Sequence, residues 1–145
     1  MDTTSPSASL EFCLSLAKVH ARLARRFDGR LGSWHGISFA DFILLLQLSR
    51  APGSRLRRVD LATELGLTGS AVTRALIPLE KIGLVRREPD PRDARVGYAV
   101  LSRSGQRVVR EALESAEMIS QEAIPVEGAR QVAALNRVVR KLAAD

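Results

Sequence analysis

A single cysteine, Cys13, leaves this 145-residue chain without any internal disulfide. A reducing compartment is the simple expectation, and we read the chain as cytoplasmic. Aromatic residues make up only 4%. The core must therefore be built from Leu, Val, Ile and Ala, which suits packed helices. No apolar run is long enough to span a membrane, so no membrane partner is expected. Residues 1–9 lack a basic start and an apolar stretch, so they read as a flexible tail rather than a secretory signal. Lysine occurs only at Lys18, Lys81 and Lys141, so the net charge of +6 is carried by arginine. Hydrophobic residues reach 46%, which excludes disorder over most of the chain. A basic balance favours a polyanionic partner. Arginine suits phosphate and guanine because its fork is planar and permanently charged.

The apolar periodicity places a helix over residues 10–27, with Leu16, Val19, Leu23 and Phe27 at helical spacing. The stretch from Asp28 to Gly36 holds three glycines and is expected to be a loop. Ser38 can cap a second helix, Phe39 to Leu48, which is apolar nearly all round and belongs in the core. Pro52 and Gly53 end it. A short helix over 59–65 stops at Gly66, and Thr68 can cap the next, which runs to Gly83. Two strands follow, Leu84 to Arg87 and Gly97 to Leu101, with a long charged hairpin tip between them. Ser102 opens another helix, with Val108, Leu113, Met118 and Ile119 as its apolar pattern. Pro125 interrupts, and Val132, Leu135, Val139 and Leu142 mark a last helix. The predicted fold class is mainly α with a small β-hairpin wing.

Two short helices joined by Gly66-Leu67-Thr68, followed directly by a hairpin, form the informative constellation. In the second helix Val72, Leu76 and Leu79 share an inward face. Ser70, Thr73, Arg74, Ile77 and Lys81 share the opposite one. That stripe has what a major groove requires: hydroxyls for phosphates or base edges, Arg74 for guanine, Ile77 for a thymine methyl. Pro78 lies inside this helix, removes the bond to the Arg74 carbonyl and predicts a kink. At the hairpin tip Arg92 and Arg95 alternate with Asp90 and Asp93. An acid beside an arginine can hold its guanidinium in one pose for a minor groove. A solvated helix face and a mixed-charge loop are the plain alternatives.

The run LATELGLTGSAVTRALIPLEKIGLVRREPDPRDARVGYAVLSRSG resembles the MarR family signature. The matching elements include Leu65-Gly66-Leu67, Val72-Thr73-Arg74, Leu79-Glu80-Lys81, Gly83-Leu84-Val85, Asp93 and Arg95. The resemblance implies a winged helix-turn-helix domain over 38–101, flanked by dimerisation helices at 10–37 and 102–145. It implies a homodimer on a pseudo-palindromic double-stranded DNA operator, acting as a repressor relieved by a small aromatic or phenolic ligand. By position, Thr68, Ser70, Thr73 and Arg74 match the recognition-helix contacts, Arg95 the wing-tip arginine, and Asp93 the acid that positions it. The competing function is a winged module that binds protein instead of DNA.

Other residues stay open. Cys13 is expected as a small buried hydrophobe. Peroxide sensors of the family carry a reactive cysteine near that position, held by tyrosines, whereas the only tyrosine here is Tyr98. Trp34, His35, Phe39 and Phe42 border the family's ligand pocket, or simply pack in the core. Cys13, His20 and His35 lack metal-ligand spacing, and no metal, cofactor or catalytic residue is expected.

Overall fold

A computed structural model describes residues 5–93, 95–124 and 128–144. Among the described residues there are six α-helices and a three-stranded antiparallel sheet. In chain order these are α1 (Ala8–His35), α2 (Phe39–Arg50), a 3₁₀ turn at Pro52–Ser54, β1 (Arg55–Arg57), α3 (Arg58–Leu65), α4 (Gly69–Lys81), β2 (Val85–Pro89), β3 (Gly97–Leu101), α5 (Arg103–Ala123) and α6 (Ala129–Ala144). Pro125 lies outside the described residues. Among the described residues, no single helix is long and apolar enough to cross a membrane.

The helix starts follow from side chains that satisfy otherwise unpaired backbone N–H groups. Ser38 accepts from Asp41 N while Asp41 accepts from Ser38 N, a reciprocal cap. Thr68 accepts from Ala71 N and Ser102 from Gly105 N. Gly36 and Gly66 end α1 and α3 in the left-handed region, where a side chain would be strained.

The expected loop at Asp28–Gly36 is instead the last two turns of α1. Gly29 and Gly32 sit in the helix with open space around them. Each costs ~1 kcal/mol relative to alanine. Phe27 and Leu31, on one face of the same turns, are 6% and 0% exposed, and their burial outweighs that cost. Only Gly36 stops the helix.

The sheet corrects a second expectation. It has order β1-β3-β2, so the hairpin gains a third strand. Arg55 pairs with Val100, Leu56 with Ala99 and Arg57 with Tyr98. Arg-Leu-Arg is too short for alternation to reveal, and its partner lies more than forty residues downstream.

The core joins α1, α2 and α5 to the helix-turn-helix and the inner sheet face. Leu31, Leu45, Leu48, Leu61, Val72 and Ile119 are each fully buried within it. The apolar face of α5 is also phased differently from the sequence expectation. Gly105, Val109, Ala112, Ala116 and Ile119 point inward, while Leu113 and Met118 are exposed. Small residues let α5 lie close to α1 and α2, and its larger side chains are left on the outside.

Candidate nucleic-acid interface

α4 projects from the domain with Val72, Leu76 and Leu79 buried beneath it. Ser70, Arg74, Ile77 and Lys81 remain exposed on its outer side. Thr68 caps the helix and its hydroxyl lies 3.2 Å from that of Ser70. The helix continues through Pro78 to Lys81, nearly two turns beyond Arg74. It then closes through Ile82 and Gly83, whose N–H groups reach the Pro78 and Glu80 carbonyls. The turn passes into β2 through Gly83 at φ 78°.

Thr73, expected on the open face, is half-buried. Its hydroxyl donates to the Gly69 carbonyl at 3.0 Å and accepts from Arg58 Nη2 at 2.6 Å. Arg58 belongs to the first turn of α3.

The wing is tied back to this helix. Arg87 on β2 donates to Glu80 on α4 at 3.0 Å. Across the outer sheet face, Arg55 lies 4.1 Å over the Tyr98 ring and reaches Glu88 at 3.1 Å, linking β1 to β2 over β3. Val100 on that face is 4% exposed although it lies outside the core cluster. Its register partners there, Arg55 and Arg86, can cover it with their apolar stems.

The hairpin tip is organised through the backbone. Asp90 accepts from Arg92 N at 2.8 Å, and Asp93 accepts from Arg95 N at 3.0 Å. Each is an Asx turn. The Asp90 N–H to Val96 carbonyl bond, 3.0 Å, closes the loop. The Arg95 guanidinium is 3.7 Å from Asp93, too long for a hydrogen bond, and its side chain is 95% exposed. Asp93 therefore places the arginine's main chain through a hydrogen bond and faces its guanidinium across a solvent-exposed ion pair.

Between α3, the start of α4 and the wing lies a cleft of about 590 Å³. Arg57, Arg58, Thr73 and Arg95 contribute to its lining. Arg57 makes a two-point pair with Asp60, at 2.7 and 3.2 Å. That hydrogen bond and the carboxylate charge raise the guanidinium pKa above its ordinary value. Arg57 is thus a fixed positive charge. The sequence expectation missed Arg55, Arg57 and Arg58. Their signal was there, three arginines within Arg55-Leu56-Arg57-Arg58, but no helical face or hairpin tip marked them.

The remaining candidates separate. Phe42 is buried, Phe39 stacks on Phe27 with centroids 4.2 Å apart, and Trp34 is half exposed beneath Arg30. His35 Nε2 is 2.8 Å from Ser115 Oγ. This is mostly packing between α1, α2 and α5. Cys13 is exposed, correcting the expectation of a buried cysteine, as are all of residues 8–22 in the first turns of α1. Cys13 and His35 sit near opposite ends of one helix, about 33 Å apart along its axis. They cannot share an ion with His20.

A recognition helix braced by a second helix and flanked by a sheet-borne hairpin defines a winged helix-turn-helix protein. Residues 35–96 match the sequence model of the MarR family. Solved structures of that family match almost the whole chain. Sco3205, a MarR family regulator from Streptomyces coelicolor solved in complex with DNA, is 26% identical, with TM-score 0.79. That match covers 97% of this chain and 92% of the other. The transcriptional regulator BldR from Sulfolobus solfataricus is 29% identical over 92% of this chain and 95% of its own, with TM-score 0.73. BpsR of Bordetella bronchiseptica shares the fold at 20% identity, with TM-score 0.82 over 97% and 99% of the two chains. No curated protein matches the chain by sequence. The fold is thus that of winged helix-turn-helix transcriptional regulators, and residues 35–96 are similar to the MarR family.

Proposed function

We propose that the chain is a homodimeric, sequence-specific DNA-binding repressor. The observation that carries this is the meeting of three features on one surface: the exposed stripe of α4, the arginine-lined cleft beside it, and Arg95 at the wing tip. Ser70 and Thr68 suit contacts at the groove entrance, Arg74 a guanine, Ile77 a thymine methyl, and Arg92 and Arg95 the adjacent minor groove. The DNA complex of Sco3205 supports the same reading.

Pairing is supported by apolar surface that the protomer leaves uncovered. Leu135, Val138, Val139 and Leu142 on α6, with Leu10 and Phe12 on α1, are all 41–60% exposed. A two-fold dimer built from these helices would present two winged domains to half-sites ~34 Å apart. Promoter occlusion would then repress, and the protein would act in the cytoplasm, by binding rather than catalysis. Relief by a small aromatic or phenolic ligand is supported by BpsR, whose DNA binding is regulated by 6-hydroxynicotinic acid.

Selection of duplexes from a random library tests the reading. The expected result is a pseudo-palindrome bound with a steep salt dependence, each phosphate contact adding a log–log slope of about −0.9. Absent or salt-insensitive binding overturns it in favour of a protein-binding winged module.

A further inference from the structure

The proposal above leaves open what Thr73 can read. We infer that Arg58 is a positioning residue that commits the Thr73 hydroxyl internally, making Thr73 a base-edge discriminator and not a phosphate anchor. The inference rests on the DNA-binding reading and sharpens one position of that interface.

A threonine hydroxyl has one hydrogen and two lone pairs. At Thr73 the hydrogen is directed to the Gly69 carbonyl at 3.0 Å, and one lone pair receives Arg58 Nη2 at 2.6 Å. No proton is left to donate to a phosphate oxygen, which can only accept. What remains for an incoming duplex is the γ-methyl and one lone pair. Those suit a thymine methyl or an exocyclic amine of adenine or cytosine.

Arg58 is well held for this task. Its stem runs against the wing: a Cβ at Gly97 would sit 3.2 Å from Arg58 Cδ. Its Nε is buried without a partner, and among the described residues no carboxylate pairs with it. The side chain thus runs from α3 past the base of β3 to α4, and its guanidinium donates to Thr73. A shift of the base of β3 would be felt at Thr73 on the recognition helix through this side chain.

The test is a double-mutant cycle with Arg58→Met and Thr73→Val. It is read on the selected duplex and on a scrambled one, across a salt series. Each single variant should weaken the selected duplex about tenfold. Thr73→Val should leave the salt slope unmoved, and each single variant should lose less on the scrambled duplex than on the selected one. The double variant should be no weaker than the worse single, because both remove one device. Three results overturn the inference. One is a salt slope shallower by about 0.9 in Thr73→Val, which marks a lost phosphate contact. Another is an equal loss on both duplexes, and the third is multiplicative losses in the double variant. Should Arg58→Met fail to fold, Arg58→Lys keeps the charge without the fork and carries the same expectation. If the wild type itself binds no duplex, the DNA-binding reading fails; if it binds and the cycle is additive, only this inference does.

Discussion

Replacing Gly105 by alanine should destabilise the protein although alanine is the better helix former. In the middle of an open helix face that change gains about 1 kcal/mol. Gly105 is not in such a place. It is buried in the first turn of α5, where the chain leaves the sheet. A Cβ built there meets the Leu84 carbonyl oxygen far inside van der Waals contact and lies 2.6 Å from Leu101 Cδ1. The Leu84 carbonyl cannot simply yield. It accepts from Ser102 N and from Ser102 Oγ, both at 3.0 Å, and Ser102 Oγ in turn caps Gly105 N. Overpacking of a filled site costs ~1–3 kcal/mol, and a disturbed cap adds ~1 kcal/mol. The clash wins over propensity, leaving a net loss of about 2 kcal/mol, or a melting temperature lower by ~5–10 °C in a chain of this size. Gly29→Ala is the internal control. Gly29 lies in α1 with nothing near its missing Cβ, so the same substitution should stabilise by ~0.5–1 kcal/mol. Both are measured by urea unfolding followed by circular dichroism, at one protomer concentration because a dimer's stability depends on it. Two variants that shift in the same direction would refute the argument that close approach, not propensity, governs position 105.

At the interface, Arg95→Ala should weaken operator binding and reduce the salt slope while sedimentation still reports a dimer. Unchanged affinity at physiological salt would remove the wing from the interface. Arg74→Ala should cost ~1–3 kcal/mol on the preferred duplex and relax its sequence preference, as seen by repeating the library selection. An equal loss on every sequence would make Arg74 a phosphate contact. Leu135→Glu with Leu142→Glu, on the uncovered face of α6, should convert the dimer to monomer in sedimentation and lower operator affinity with it. A dimer that persists would place the two-fold interface elsewhere.

Much of the local structure was legible because its causes are local. Ser38, Thr68 and Ser102 announced helix starts, since a capping oxygen needs only the next three residues. The inward face of α4 followed from spacing, and Gly97 to Leu101 read correctly as a strand. Even the resemblance to the MarR family could be read from one continuous stretch, because the helix-turn-helix and its wing are consecutive in the chain. Arg74 and Ile77 stood out through the period of their helix, and Arg95 through its alternation with Asp90 and Asp93 at the hairpin tip.

The sequence determined, by itself, the helical class, the caps and the winged motif. Only the tertiary structure decided what depends on partners distant along the chain. Gly29 and Gly32 became helix because Phe27 and Leu31 beside them found a core to enter. Arg55 to Arg57 became a strand because β3 offered an open edge. The face of α5 was set by the small residues its neighbours required, not by its largest apolar ones. Cys13 lies on a helix end that the protomer does not cover. Thr73 looked like a free hydroxyl until Arg58, fifteen residues earlier, was seen to hold it. Periodicity reports which face an element can bury, whereas only the packed chain reports what that face meets.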